Sequence, residues 1–229
     1  MAKMKDGIIK LSPSTLNLFL ECKKCFWLDQ VEGIHRPRGV FPSLPGGMDG
    51  LIKKYFDKYR VEGKIPPEIE GKVDGVLMDD LDLLNKWRSW RTGLVYKDTE
   101  TGSILSGALD DLLVNPETHL YMPFDYKTRG YDLKADSSSF YQNQLNCYAL
   151  MLQENGLKQA GFGYLCYYIP KDVAEGGQVR FDVTVKKMEL DPEDARKVFE
   201  DAIALIHGPM PTAHSECIYC IWGNDFIAD

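Results

Sequence analysis

Residues 107–128, GALDDLLVNPETHLYMPFDYKT, decide how this chain is read. Two runs of strand-forming residues flank Asn115-Pro116-Glu117-Thr118, a turn signal. With the hairpin closed through residues 116–119, Asn115 faces Leu120 and Asp110 faces Asp125 across the two strands. Directly opposed residues share a face of the sheet, with Cβ atoms roughly 5 Å apart. Lys127, two residues past Asp125, projects from that same face, while Asp111 and Tyr126 point the other way. Opposed carboxylates repel unless a cation lies between them. An all-oxygen set of donors suits a hard ion, Mg2+ or Mn2+. Such an ion polarises a phosphoryl oxygen and acidifies a bound water. The lysine can orient or deprotonate that water, or neutralise charge on a pentavalent phosphate. These are the parts of a phosphodiester-hydrolysing centre. The bland alternative is a hairpin with solvent-facing charges. Against it, Asp125 sits between Phe124 and Tyr126, and Asp110 follows Ala108-Leu109, both sequence of a buried strand.

Outward from this hairpin, helices precede the strands. Ser12 caps a first helix with Pro13 in its opening turn, and Leu16, Phe19, Leu20 and Phe26 recur at helical spacing. Residues 33–47, rich in Pro and Gly, read as a long surface loop. Helices over about 48–59 and 80–91 follow, then strands at 94–97, 104–114 and 120–128. A helix beginning near Asp136 to Ser139 ends before Gly156. Strands at about 162–169 and 179–190 bracket Gly176-Gly177, and Asp191-Pro192-Glu193 starts a last helix to about His207. The pattern predicts an α/β fold with a central mixed sheet flanked by helices, in one domain over residues 1–229.

At 229 residues, with 44% hydrophobic and 27% charged, the chain can bury one sizeable core, so wholesale disorder is excluded. No apolar run approaches the roughly 20 residues of a membrane span, and no apolar stretch follows the basic N-terminus as a signal peptide would. A cytoplasmic protein is expected. The net charge of −7 argues against coating nucleic acid by bulk attraction, but not against a nuclease whose acidic residues hold metal.

Cys22-x-x-Cys25 and Cys217-x-x-Cys220 supply four thiolates. In a reducing compartment, paired C-x-x-C spacing points to metal: zinc or an iron–sulfur cluster. One ion or cluster bound by all four joins residues 11–30 to residues 208–229. Cys147 and Cys166 fall within a helix and a strand and read as small core residues.

Gly107-x-x-Asp110, Asp125-x-Lys127 and Gln144-x-x-x-Tyr148, in this order and spacing, resemble the PD-(D/E)XK nucleases, in particular the RecB-like branch with its CRISPR-associated iron–sulfur exonucleases. The resemblance spans roughly residues 11–220. It implies a restriction-endonuclease-like core, Asp110, Asp125 and the Tyr126 carbonyl as metal ligands, and Lys127 as catalytic lysine. Gln144 and Tyr148, four apart on a helix, share a face from which they can bind phosphate or fix Lys127; Tyr148 reads equally as core. Many relatives carry an upstream histidine ligand after a glycine. The matching Gly46-Gly47-Met48-Asp49-Gly50 has none, leaving Asp49 as substitute or as a helix-start aspartate favoured by the dipole, with His35 the weaker candidate. The related exonucleases hold a [4Fe–4S] cluster with one N-terminal and three C-terminal cysteines. This chain has two and two, so Cys25 would have to replace the missing C-terminal one, and the resemblance favours the cluster only narrowly over zinc.

Arg36, Arg38, Lys53, Lys54, Lys127, Arg129 and Lys134 are candidates to line a strand path, with Trp87, Trp90 and Tyr96 as base stackers; Trp87 and Trp90, at helical spacing, read more readily as core. The expectation is a Mg2+- or Mn2+-dependent deoxyribonuclease acting on ends or single strands, in repair, recombination or CRISPR adaptation. The alternatives are a non-catalytic DNA-binding subunit of the same fold, and a thiolate-metal redox or docking module.

Overall fold

Strand β1 (Lys10–Leu11) leads into α1 (Pro13–Glu21), whose start is a capping box: Ser12 Oγ accepts from the Thr15 amide, and Thr15 Oγ1 accepts from the Ser12 amide. In the computed structural model, residues 8–37, 39 and 43–225 are described. Cys22 ends α1 and caps α2 (Lys23–Trp27), which continues as one wide π-helical turn over Leu28–Glu32. Helix α3 (Ser43–Val61) begins five residues before the predicted start, inside the stretch expected to be loop. Pro45 lies in its first turn, where an amide would be unpaired in any case. Then come β2 (Val76–Leu77), α4 (Leu81–Arg88), β3 (Leu94–Lys97), β4 (Ile104–Gly107), β5 (Asp111–Val114) and β6 (Tyr121–Thr128). Helix α5 (Gln142–Glu154), which starts later than the expected 136–139 because a 3-10 turn over Ser139–Tyr141 precedes it, is followed by β7 (Phe162–Ala174), β8 (Gln178–Glu189), α6 (Pro192–Ile206) and α7 (Ile218–Asp225).

The strands form two sheets: β1-β4-β3, and the larger β2-β5-β6-β7-β8, in which only β6 and β7 run parallel. Helix α5 is the crossover between those parallel strands, as a parallel pair requires. One face of the larger sheet packs with α5, α6 and α1, through Leu165, Tyr167, Leu145 and Phe199. The other packs under α3, where Phe56 meets Phe124 and Tyr126. Strand β7 is therefore buried on both faces from Gly163 to Tyr168 and reads as a continuous apolar run.

Two expectations are corrected. The predicted continuous strand over 104–114 breaks at residues 108–110, where the chain passes from the small sheet to the large one. The break is set by long-range bonds: the Leu109 amide donates to the Trp87 carbonyl, and Arg88 Nε donates to the Asp110 carbonyl. Helix α4 also stops at Ser89 rather than 91. Trp87 is thus core, whereas Trp90, past the helix end, is 77% exposed.

Candidate active site

The turn residues set the register that builds the site. Asn115 Oδ1 accepts from the amides of Glu117 and Thr118, and its carbonyl accepts from His119, which sits at φ 55°. The Asn115 amide then bonds Leu120, and the ladder pairs Asp111 with Phe124, so Asp110 lies opposite Asp125 just beyond the end of β5. Asp110 Oδ2 accepts from the Tyr126 amide at 3.2 Å. In a strand a residue's amide and carbonyl point to one side, so the Tyr126 carbonyl faces the same gap.

Asp125 is fully buried. Gln144 Nε2 donates to its Oδ1 at 3.1 Å. Lys127 forms an ion pair with its Oδ2, yet that buried oxygen accepts no hydrogen bond. Burial, and then the charge of Asp110, push the Asp125 carboxyl up to about 7, against the pull of Lys127. Burial by itself lowers the Lys127 pKa, but Asp125 and Asp110 more than reverse this, so the net shift is upward and the ammonium is held charged.

Helix α5 locks this arrangement. Gln144 Oε1 accepts from Lys127 Nζ at 3.1 Å, while Gln144 Nε2 reaches both Asp125 and, at 2.8 Å, the Tyr148 hydroxyl. Tyr148 donates in turn to the Ala108 carbonyl at 2.6 Å, so it is more than core packing. The Tyr141 ring lies 4.4 Å from Lys127 Nζ. Gly107 makes room for the helix: a Cβ there would stand 3.2 Å from the Tyr148 ring and 2.9 Å from the Met151 methyl.

Asp49, on α3, is partly exposed and bonded to Lys53 at 2.9 Å. Lys53 also reaches Asp110 Oδ1 at 2.8 Å, a link the sequence reading missed by treating Lys53 as a solvated or strand-lining charge. The i,i+4 pairing of Asp49 and Lys53 was the available signal. On the opposite face of the sheet, Asp111 accepts from Arg60 Nη2 at 2.7 Å, from Arg88 Nη2 at 3.0 Å and from the Tyr126 hydroxyl. Asp57 binds both arginines in turn. A buried aspartate flanked by apolar strand residues calls for such partners, and here they come from helices far away in sequence.

Other expected residues lie elsewhere. His35 pairs with Asp29 and, with Arg36, lines a cavity of roughly 530 Å3 beside the cysteines, away from the carboxylates. Arg36 binds Glu21 and donates to Cys217 Sγ at 3.4 Å rather than lining a strand path. Tyr96 is buried against Arg196 and Phe199 and is not free to stack on a base. Arg38 lies outside the described residues. Lys54 and Lys134 are exposed and Arg129 half-buried.

The four cysteines converge, as expected: their sulfurs all lie within 4.8 Å of one another, with Cys22–Cys220 and Cys25–Cys217 at 3.6 Å and Cys25–Cys220 at 3.8 Å. Burial pushes the Cys25 thiol up to about 12. At Cys217 the same effect is outweighed by hydrogen bonds from the Cys220 amide and the neighbouring cysteines, and its thiol falls to about 6. This group joins the α1–α2 junction to α7 and can hold a metal. No helix among the described residues is long and apolar enough to cross a membrane.

The oxygen-only set at Asp110, Asp125 and the Tyr126 carbonyl, in which the buried Asp125 Oδ2 is ion-paired with Lys127 but accepts no hydrogen bond, fits a hard divalent cation. No curated protein matches the chain significantly. The model of the PD-(D/E)XK nuclease superfamily, whose members are typically metal-dependent nucleases, matches residues 49–224, a span that holds both aspartates, Lys127, Gln144, Tyr148 and the second cysteine pair. This chain belongs to the PD-(D/E)XK nuclease superfamily.

Proposed function

We propose that the protein is a divalent-metal-dependent deoxyribonuclease acting on single strands or free ends. The observation that carries this reading is the Asp125 carboxylate: fully buried, opposite Asp110, next to a held ammonium, and with one oxygen accepting no hydrogen bond. A Mg2+ or Mn2+ ion held by Asp110, Asp125 and the Tyr126 carbonyl would supply Lewis acidity toward the phosphate and acidify a water. The chain's own groups do the rest. Lys127, fixed by Gln144 and Tyr141, offsets the charge that builds on the phosphate oxygens. Gln144 holds Lys127 and Asp125 in one geometry, and Tyr148 ties that unit to the residue 108 carbonyl.

A cleft of roughly 280 Å3 opens beside Gln144 and Tyr148, between Ser12 and Ser14 on one side and the exposed Trp90 on the other. The exposed indole of Trp90 offers a base a stacking surface worth about 1–3 kcal/mol. Together with the RecB-like resemblance, this supports end or single-strand processing in repair, recombination or CRISPR adaptation, in the cytoplasm.

For the cysteines, the spacing supports a single zinc ion over the cluster. Four sulfurs at about 2.3 Å from one ion stand about 3.8 Å apart, close to the 3.6–3.8 Å of three of the sulfur contacts, with the remaining pairs within 4.8 Å. A four-iron cubane needs its thiolates spread more widely. Arg36 beside Cys217 offsets the excess negative charge of a four-thiolate site.

A second reading, a DNA-binding subunit that does not cleave, draws on one observation: Lys53 already neutralises Asp110. End-labelled single- and double-stranded DNA incubated with Mn2+ separates the two. Cleavage abolished by EDTA and lowered about 100-fold or more in Lys127→Ala is expected. Binding without cleavage at any metal concentration supports the second reading instead.

A further inference from the structure

Lys53 sits where the metal reading places a competing cation. Its ammonium is 2.8 Å from Asp110 Oδ1 and 2.9 Å from Asp49 Oδ2, and its side chain is only 19% exposed. The other oxygen of Asp110 is engaged by the Tyr126 amide. Both Asp110 oxygens therefore have partners, and Asp125 Oδ2, though it accepts no hydrogen bond, is ion-paired with Lys127. An ion bridging Asp110 and Asp125 competes with two ammonium groups, and Lys53 is the one free to give way: Lys127 is held by Gln144 and the Tyr141 ring, and the Tyr126 amide is fixed in β6. The charges agree. Asp49, Asp110 and Asp125 face Lys53 and Lys127, so the lysines cancel most of the field that would attract a divalent cation.

We propose that Lys53 is a tethered competitor for the divalent cation, holding Asp110 until the ion takes its place. The inference rests on the nuclease reading of the carboxylates and concerns how readily they load. Asp49 keeps the displaced ammonium nearby, because the pair spans one turn of α3 and survives loss of the Asp110 contact.

The test is a Mn2+ titration without DNA, with free Mn2+ read by electron paramagnetic resonance, on the full chain and its Lys53→Met and Lys53→Arg variants. Lys53→Met, nearly isosteric and neutral, is expected to bind Mn2+ about tenfold or more tightly than the parent. Lys53→Arg, which keeps the charge, should not gain affinity. Lys53→Gln carries the same expectation as Lys53→Met and replaces it if circular dichroism shows the Met variant unfolded. Asp125→Asn marks the site by losing the binding. Equal or weaker Mn2+ binding by a folded neutral variant, with metal-dependent cleavage intact in the parent, overturns the competitor role alone. No Mn2+ binding by parent or neutral variants overturns both this role and the metal site on which it rests.

Discussion

Asp110 and Asp111 are neighbours in sequence and opposites in environment. Asp111 points under α3, where two arginines, a tyrosine hydroxyl and the Leu112 amide satisfy its oxygens. Asp110 points into the break between β4 and β5, toward a second carboxylate with an oxygen that accepts no hydrogen bond. A fully hydrogen-bonded buried carboxylate holds a fold together, whereas one left with an oxygen that accepts no hydrogen bond carries a cost, which the proposed nuclease function assigns to metal binding. The two sides are joined, because Arg88 binds Asp111 and the Asp110 carbonyl together, and Tyr126 carries the hydroxyl on one face and the amide on the other.

The comparison is broken most sharply from the saturated side. Asp111→Ala strands Arg60 and Arg88 in a buried setting and should cost about 3–5 kcal/mol, read by chemical denaturation. A loss below about 1 kcal/mol would mean that the network does not hold the sheet to α3.

On the other side the sign reverses. With Asp125 raised to about 7 against an unfolded value of about 3.9, the folded state holds its proton more tightly, so metal-free stability falls as pH rises through that window. Asp125→Asn removes this cost. In EDTA its melting temperature should match the parent's near pH 4 and exceed it increasingly up to about pH 7, then stay level. The gain is bounded by about 4 kcal/mol and reduced by the lost Lys127 ion pair. An advantage that shrinks as pH rises would contradict the environment described.

Smaller effects sharpen the same contrast. Gln144→Ala, by freeing Lys127, should lower cleavage about tenfold or more while shifting the unfolding midpoint little. Gly107→Ala crowds the Tyr148 ring at 3.2 Å and should cost about 1 kcal/mol, the low end for overpacking, because the closer contact is the end of the flexible Met151 side chain.

Much of this was legible in the chain. The Asn-Pro-Glu-Thr turn set the β5–β6 register, and with it the opposition of Asp110 and Asp125. Ser12 and Pro13 announced α1, and the two C-x-x-C pairs announced a contact between distant segments. What was not legible depended on partners far away in sequence. The stretch over residues 104–114 reads as one strand despite Ser106-Gly107, the local signal for a break, because the bonds that hold the break come from Trp87 and Arg88. Trp90 follows helical spacing from Trp87, but the helix ends between them at Ser89. Lys53 shows an i,i+4 partner in sequence, whereas its second partner, Asp110, lies 57 residues on (110 minus 53) and is brought to it by the packing of α3 on β6.

The central claim is that Asp110 and Asp125 share one divalent cation. A crystal grown or soaked with Mn2+ and measured at an energy that excites manganese tests it most directly. The account predicts an anomalous peak about 2.1–2.2 Å from an oxygen of each aspartate and from the Tyr126 carbonyl, with Lys53 moved off Asp110. Lys53 still seated on Asp110, with no manganese between the two carboxylates at saturating metal, would contradict it.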